Sequence, residues 1–247
     1  MSKIKINLVT VGHLPADFDK SKIKAWKSDV FSIEGDIDNY SLNNDSDGED
    51  WSYTDANLAQ QLPREVAGDF LIALVNVPLE LNWYSRRLNE NKVIFTFHEM
   101  REILQFSNIP LENIVFRLLY AYSLQFKRSN GKLPTSNEYT NFTHDETRGC
   151  LFDMNGLKTD VVHSCHQPII CPDCIGRLRN ETVSDNLITK VQQEIKKVQK
   201  PLFYRVLDFV KVHPLRSLTI SAASAIVLGA IGSYLATIIY VALNGQV

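Results

Sequence analysis

The C-terminal part of the chain contains a segment that is too long and too apolar for the surface of a soluble protein. No Asp, Glu, Lys or Arg occurs from Ser217 to Val247, and the apolar run from Leu218 to Leu243 is 26 residues long. A helix of about 20 apolar residues is sufficient to cross the hydrocarbon core of a bilayer. The sequence therefore predicts one transmembrane helix over residues 217–243. The alternative is a buried helix of a soluble core, which fits poorly because no face of the segment carries a charge.

The charges on either side of this segment predict its orientation. Six basic residues precede it: Lys196, Lys197, Lys200, Arg205, Lys211 and Arg216. No charged residue follows it. Because cytoplasmic flanks are enriched in Lys and Arg, we expect the N-terminal domain to be cytoplasmic. The chain is then a single-pass, tail-anchored protein of the cell inner membrane.

Small and weakly polar residues recur every four positions within the predicted span. They are Ser221, Ala225, Gly229, Ser233 and Thr237. Residues four apart share a helix face, so these five form one stripe. Such stripes let helix backbones approach each other in lipid, which favours a homo-oligomer, and hydroxyl groups can also line a narrow pore. A lone anchor with a chance stripe is the alternative.

The N-terminal part of the chain is predicted to form a domain of the α/β or α+β class. The stretches KINLVTVG, DFLIALVNVPLE and NKVIFTFHEM predict strands, and IPLENIVFRLLYAYSLQF predicts a long, mostly buried helix. Alternation of strands and helices without repeats is typical of this class. The formal net charge of the chain is −2, which gives no reason to expect a broad nucleic-acid surface.

The sequence predicts that residues 181–216 form an arm between the N-terminal domain and the transmembrane helix. Apolar residues from Leu187 to Val198 follow helical spacing, and Pro201 interrupts the helix. The stretch PLFYRVLDFVKVHP combines apolar and aromatic residues with basic ones, as in a segment that lies in the membrane interface. A self-associating helical stalk is equally compatible with this pattern.

All four cysteines lie within 25 residues of one another, at Cys150, Cys165, Cys171 and Cys174. The chain begins with a strand rather than a signal peptide, so we expect reduced thiols. Two cysteines separated by two residues, as in CPDC, chelate one zinc ion from a tight turn, and Cys150 adds a third thiolate. The fourth ligand of this structural zinc is open among Cys165, His163, His166, Asp145 and His144. Buried thiols without a metal are the alternative.

The order of these elements resembles that of the archaemetzincins, which are compact zinc proteases of the metzincin type. KINLVTVGHLP is similar to their first strand, DFLIALVNVPLELNWYSRRL to the strand and edge segment bordering their cleft, and CPDCIGRL to their closing CxxC helix. The resemblance covers about residues 3–180 and implies a metzincin-like domain over residues 1–180. It places the third histidine and the two following cysteines of the family motif on His144, Asp145 and Cys150.

The same resemblance implies that the protease is inactive. The motif HExxHxxGxxH would fall on PTSNEYTNFTH, where Pro134, Thr135 and Glu138 replace His, Glu and His. Two metal ligands and the general base are thus missing. The other candidate motif, His98-Glu99, lacks a second histidine because residue 102 is Glu. We therefore expect no enzymatic activity.

A cleft that has lost its metal remains a concave surface for binding. The residues that would border it are Asn82, Trp83, Tyr84, Arg86 and Arg87, joined by Arg148 and His144. Aromatic rings beside arginines suit a small nucleotide or oligonucleotide through stacking and bidentate hydrogen bonds. The alternative is that the aromatic rings pack into the core while the arginines are solvated.

Three functions follow as hypotheses. The first is a ligand-gated membrane effector or channel, an architecture similar to that of membrane effectors in bacterial antiphage defence. The second is a tail-anchored pseudo-protease scaffold that binds a protein partner, for instance an extended peptide on the edge strand. The third is a zinc hydrolase with a relocated site at His98, Glu99 or the cysteines, although no complete catalytic set is visible in the sequence.

Overall fold

A computed structural model describes residues 2–140, 143–144, 147–153 and 157–244. The chain divides into two compact units, which separate between Lys200 and Pro201. The first unit is a mixed α/β domain built around one sheet, and the second consists of two helices. The α/β class predicted from the sequence is therefore confirmed.

A six-stranded sheet forms the centre of the first unit. Its strands are β1 (Ile4–Val11), β2 (Phe31–Ile33), β3 (Asn39–Tyr40), β4 (Phe70–Val75), β5 (Ser85–Arg87) and β6 (Lys92–Thr96). The order is β2-β1-β4-β6-β5, and β3 also pairs with β1. All pairs are parallel except β5 with β6, so β5 is an antiparallel edge strand.

Both faces of the sheet are buried, as is typical of parallel sheets covered on two sides. Strand residues alternate between two apolar clusters, and β4 shows this clearly because Ile72 belongs to one cluster and Leu71 to the other. The larger cluster packs against most of the helices, and the smaller one includes Leu58 of a short helix. The run of apolar residues in β4 thus reflects burial on both faces.

The first two helices of the first unit lie between strands in the chain, and the others follow β6. They are α1 (Lys20–Ala25), α2 (Asp55–Gln60), α3 (Met100–Phe106), α4 (Leu111–Arg128), α5 (Lys158–Val161), α6 (Pro172–Asn180) and α7 (Asp185–Ile195). Every residue of α4 except Lys127 is buried, so this helix is the centre of the larger apolar cluster.

Helix α7 differs from the expected arm, because it packs into the first unit instead of leading away from it. Its residues Leu187, Val191 and Ile195 are buried in the larger apolar cluster. Its Glu194 accepts hydrogen bonds from the Ser28 hydroxyl at 2.5 Å and the Tyr120 hydroxyl at 2.7 Å. The compact unit therefore extends to Lys200 rather than ending at residue 180, since the apolar face of the amphipathic helix is buried on the domain itself.

The second unit contains α8 (Leu202–Val212) and α9 (Pro214–Asn244). Helix α9 is 31 residues long, with a mean hydropathy of 2.1 over its most apolar window and none of that window buried. It is long and apolar enough to cross a membrane. The predicted stripe from Ser221 to Thr237 lies on this helix, and each of its five residues is exposed.

Candidate functional site

Four side chains with metal-binding atoms come together in the first unit. They belong to His144, Cys150, Cys171 and Cys174, and their ligand atoms all lie within 4.8 Å of one another. The three cysteines are buried and His144 is partly exposed. Within the part of the chain that the structure describes, this is the only such group of three or more His, Cys, Asp or Glu residues.

Short backbone pairings hold the three segments that carry these ligands. Cys150 forms an isolated parallel bridge with Ile169, and His144 forms another with Asp153. Between them Gly149 adopts a positive φ of 83°, a conformation that favours glycine, and a Cβ atom there would lie 3.3 Å from a backbone carbonyl oxygen. His144 and Cys150 are thus positioned by loop geometry rather than by regular elements.

The CPDC stretch places its two cysteines at the N-terminus of α6. Cys171 is the N-cap residue and its Sγ accepts a hydrogen bond from the backbone N–H of Cys174 at 3.5 Å. Pro172 occupies the first helical position, where a missing N–H costs nothing. This arrangement places both sulfur atoms at one end of α6, on the same tight turn, where two thiolates can chelate one metal ion.

Two of the distances within the group match those of a tetrahedral zinc site. Zinc–sulfur bonds of about 2.3 Å and zinc–nitrogen bonds of about 2.0 Å imply sulfur–sulfur separations of roughly 3.8 Å and sulfur–nitrogen separations of about 3.6 Å. The Sγ atoms of Cys150 and Cys174 are 3.9 Å apart, and Cys171 Sγ lies 3.5 Å from His144 Nε2. The four residues therefore can hold a metal ion such as zinc.

The protonation of the thiols follows the same contacts. The hydrogen-bond contact between the sulfur atoms of Cys150 and Cys174 lowers the pKa of Cys150 and raises the pKa of Cys174. The backbone N–H of Cys171 also donates to the Cys150 sulfur, at 3.5 Å. One thiolate is thus already favoured in this group, as metal binding requires.

The remaining metal candidates from the sequence lie elsewhere. Cys165 is not part of the group: its Sγ donates to the carbonyl oxygen of Val161 at 3.4 Å, and burial raises its pKa to about 12. His166 is also outside the group, and its Nδ1 accepts from the backbone N–H of Lys200. His163 does not join the group either, and Asp145 lies outside the described residues. Of the candidates that the structure describes, only His144 closes the site.

A cleft of about 210 Å³ lies along the edge strand β5. It is lined by Trp83, Tyr84, Ser85, Arg86, Arg87, Ala121, Tyr122, Gln125, Ser136, Thr140, Thr143 and Phe152. Ala121, Tyr122 and Gln125 of this lining belong to α4. Thr143 and Phe152 belong to the segments that carry the metal-group residues His144 and Cys150. Four of the predicted ligand-binding residues, from Trp83 to Arg87, thus border one cleft.

The aromatic residues of the cleft differ in exposure. Tyr84 is buried, with 4% of its surface exposed, whereas Trp83 is 36% exposed. The Tyr122 hydroxyl lies 2.8 Å from the Ser85 hydroxyl, so its ring is held against the edge strand. Tyr84 therefore packs into the core, as the alternative interpretation of the sequence expected, and Trp83 remains available at the surface.

The two arginines of the cleft also differ. Arg86 is held by Asp55, with Nε 3.0 Å from both carboxylate oxygens and Nη2 2.6 Å from Oδ2, and this contact raises the pKa of Arg86. Arg87 has no hydrogen-bond or ion-pair partner for its guanidinium among the described residues. Arg87 is thus a cation available to an anionic group in the cleft.

The edge strand presents part of its backbone to the cleft. The carbonyl oxygen of Tyr84 and the N–H of Leu88 bond to β6, so the alternation of an antiparallel pair turns the main-chain groups of Ser85 and Arg87 outward. Ser136 covers those of Arg87, because its Oγ accepts from the Arg87 N–H at 2.9 Å and its N–H donates to the Arg87 oxygen at 3.0 Å. Ser85 faces the open edge.

Asn82, Arg148 and His144, the other predicted cleft residues, are not in its lining. Asn82 accepts from the Lys158 ammonium at 2.5 Å, and the same ammonium contacts Glu99 Oε2 at 2.9 Å. Arg148 pairs with Asp160 at 2.5 Å. These contacts tie the loop before β5 to the start of α3 and to α5, so Asn82 supports the rim of the cleft instead of facing it.

The first half of the family motif would fall on residues that the structure describes. Residues Pro134 to Glu138 contain no helix, so they cannot present two ligands on one helical face. His98 and Glu99 lie in the turn between β6 and α3, where Glu99 is engaged by Lys158. Neither position belongs to a metal-binding group in the described part of the chain.

Several residues of the site carry no clear signal in the sequence. Ser136 and Thr143 line the cleft from a segment without regular structure, which no periodicity identifies. Arg117 is different, because a single charge inside the apolar run of α4 is visible in the sequence. It is completely buried, donates to Ser164 and to the Asp153 carbonyl oxygen, and lies 5.9 Å from the Tyr84 ring centroid.

Comparisons of the chain with protein-family models, with curated proteins and with solved structures find no match. The archaemetzincin resemblance therefore stays a prediction. The functional argument rests on the metal group, the cleft and the C-terminal helix.

Proposed function

We propose that the chain is a single-pass membrane protein whose first unit is a zinc-stabilised, non-hydrolytic binding domain. The cleft along β5 binds a small anionic ligand with an aromatic part, such as a nucleotide. Ligand binding controls an oligomeric membrane segment, so the protein acts as a ligand-gated membrane effector. Antiphage defence is one setting in which such an effector would operate.

Zinc has a structural role in this proposal. His144, Cys150, Cys171 and Cys174 supply four protein ligands, which complete a tetrahedron. A catalytic zinc site keeps one position open for water or substrate, and a complete set of protein ligands leaves none. The metal links the segments 143–144 and 147–153 to α6, and it thereby stabilises the wall of the cleft to which Thr143 and Phe152 belong.

The unpaired guanidinium of Arg87 is the observation that carries the ligand proposal. Arg87 is partly buried and makes no direct ion pair among the described residues, although its charge acts through space on the Glu138 carboxylate. A bound phosphate or carboxylate would add bidentate hydrogen bonds to this guanidinium. Its neighbour Arg86 shows the contrast, because Asp55 already occupies that guanidinium. Trp83, which is exposed, adds aromatic surface on which a planar group would stack.

The membrane part of the proposal rests on α9. An exposed, uncharged helix of this length is unstable in water and stable in a bilayer. Lys196, Lys197, Lys200, Arg205, Lys211 and Arg216 precede it and favour a cytoplasmic first unit at the inner membrane. The stripe from Ser221 to Thr237 favours close packing between copies of the helix.

A metzincin-like fold is part of the same proposal. The antiparallel edge strand β5, the cleft beside it and the CxxC helix α6 support the resemblance. The absence of a helical HExxH segment at residues 134–138 supports a domain that binds without hydrolysis.

Reconstituted protein tests this function directly. The full chain is placed in liposomes loaded with a self-quenching dye and titrated with nucleoside mono- and triphosphates and cyclic dinucleotides. We expect at least one of these to bind and to release dye, and Arg87→Gln to abolish both effects while the matched variant Arg86→Gln retains release. Absence of leakage with every ligand, at verified protein incorporation, would contradict the effector function.

A second candidate is a scaffold that binds a protein partner, and the open edge at Ser85 favours it. The outward main-chain groups of this residue can pair with an extended peptide, as in β-strand addition. A peptide-array screen with the full chain tests this candidate. Peptide binding that does not depend on Arg87, from a protein whose α9 is monomeric, would favour the scaffold over the effector.

A further inference from the structure

We propose that α8 lies in the headgroup region of the membrane that α9 enters, with its apolar face toward anionic lipid. This inference rests on the proposed membrane anchoring and adds a second, separate lipid-binding element to it. It concerns only the second unit, where α8 and α9 are separated by one residue, His213.

The apolar face of α8 is continuous and uncovered. At about 100° per residue, Leu202, Phe203, Val206, Phe209 and Val210 fall within an arc of about 120°. Their exposed fractions run from 41% for Phe209 and Val210 to 70% for Phe203. No residue of the helix is buried. Five large apolar side chains on one side of an eleven-residue helix form a surface that water does not favour.

The charges of α8 are placed as in an interfacial helix. Arg205 lies about 40° beyond one border of the apolar arc, and Lys211 lies on the other side, beyond Leu207. Long basic side chains in these positions bury their stems against apolar surface and extend their charges to lipid headgroups. Asp208 is the single acidic residue of the helix, so the basic residues outnumber it. Anionic phosphate groups match this distribution.

The junction with α9 favours the same occupant. Pro214 begins α9, and its ring prevents α8 and α9 from forming one continuous helix. A rod made from both helices would place Arg205, Asp208 and Lys211 in line with the apolar span. Because the helix is interrupted at His213, α8 can turn away from the span and remain at the depth where charges and aromatic rings are both stable.

Tryptophan fluorescence in nanodiscs tests the inference with the full chain. Three variants place one added tryptophan on the apolar face (Val206→Trp), on the opposite face (Tyr204→Trp) and inside the span (Ile231→Trp). Each is compared with the parent chain, whose native tryptophans all lie in the first unit. The probes are nanodiscs of neutral phosphatidylcholine or of a phosphatidylcholine–phosphatidylglycerol mixture, each with and without bromine on the upper acyl chain.

We expect the added fluorescence of Val206→Trp to be blue-shifted and at least halved by the brominated lipid, with stronger quenching in the anionic mixture. Tyr204→Trp should show less than half of that quenching. Replacing both Arg205 and Lys211 by Gln in the Val206→Trp chain should remove the preference for the anionic mixture, which separates lipid charge from simple proximity.

Two outcomes would overturn the inference. If Ile231→Trp is quenched but Val206→Trp is not, α9 is inserted and α8 stands clear of the lipid. If Val206→Trp is blue-shifted but not quenched, another protein surface covers the face, as in a stalk between copies. A chain in which Ile231→Trp is itself not quenched contradicts the proposed membrane span and the inference with it.

Discussion

The metal group and the cleft lie next to each other in the first unit, yet their side chains are arranged in opposite ways. In the metal group, His144 and the three cysteines direct their ligand atoms toward one another and away from water. In the cleft, the Arg87 guanidinium has no hydrogen-bond or ion-pair partner among the described residues, and the main-chain groups of Ser85 point away from β6. Polar atoms that satisfy one another stabilise a fold, whereas polar atoms without partners are available to a ligand.

The same contrast distinguishes the two arginines of the edge strand. Arg86 has its counter-ion within the domain, and Arg87 has none among the described residues. Adjacent residues of one type in one strand thus have different partners, although both line the same cleft, because Asp55 pairs with Arg86 alone. The predictions below test whether the closed group acts only on stability and the open cleft only on binding.

The largest effect is expected for Cys174→Ser. Loss of one thiolate removes the metal, and because structural zinc contributes on the order of 10 kcal/mol to small zinc domains, the first unit should lose several kcal/mol or fail to fold. Elemental analysis and thermal unfolding measure this. Cys165→Ala is the matched control, since it removes a buried thiol outside the group and should leave the metal content unchanged. Equal metal loss in both variants would contradict the assignment of His144 as the fourth ligand.

A smaller effect is expected for Lys158→Met. The methionine keeps the buried stem but leaves the acceptors on Asn82 and Glu99 without the ammonium, at a cost of about 1–2 kcal/mol. The rim of the cleft should loosen, which increases the exposure of Trp83. Red-shifted tryptophan emission with unchanged zinc content is the expected result. A variant that also loses zinc would show that the rim and the metal group are not independent.

Arg86→Gln and Arg87→Gln should separate stability from binding. The ion pair of Arg86 with Asp55 is partly buried, so its loss should cost about 1 kcal/mol. Arg87→Gln should leave the free energy of unfolding unchanged to within about 0.5 kcal/mol, because this guanidinium makes no direct ion pair or hydrogen bond among the described residues. Urea unfolding of the two detergent-purified variants measures this difference. A larger stability loss for Arg87→Gln would mean that the cleft cation is structural.

The smallest expected effect is a loss of folding stability at acidic pH. The hydrogen bond from Lys158 lowers the pKa of Glu99 below its ordinary value of 4.5. The resulting stabilisation is fully present above the unfolded-state pKa and is lost as the pH falls through the folded-state pKa. Since about half of the Glu99 side chain is exposed, we expect about 0.5 kcal/mol or less. Unfolding curves between pH 5 and pH 3 should show this loss in the parent chain and not in Lys158→Met.

The sequence was sufficient to predict the parts of the structure that depend on local pattern. The strands β1, β4 and β6, the helix α4 and the membrane-length helix α9 follow from the period and length of apolar runs. Cys171 and Cys174 were identifiable because CxxC chelation depends on spacing alone. The edge position of β5 followed from the resemblance, and the structure places it at the edge of the sheet.

The predictions that the structure corrected, or that the sequence left open, concern features that depend on contacts between distant segments. The fourth ligand was one of five candidates, because the bridge between His144 and Asp153 brings the histidine into the group and leaves no pattern in the sequence. The sequence predicts an arm outside the domain from residue 181, because the pattern of an amphipathic helix does not indicate which surface covers its apolar face. The burial of Glu194 against Ser28 decides that question.

Zinc stoichiometry of the detergent-purified full chain tests the central contrast most directly. The closed group predicts about one zinc per chain in the parent protein and in Cys165→Ala, and almost none in Cys174→Ser. Two zinc ions per chain would place a second metal outside the four ligands, and hydrolysis would then have to be reconsidered. No zinc in a well-folded parent protein would contradict the metal centre altogether.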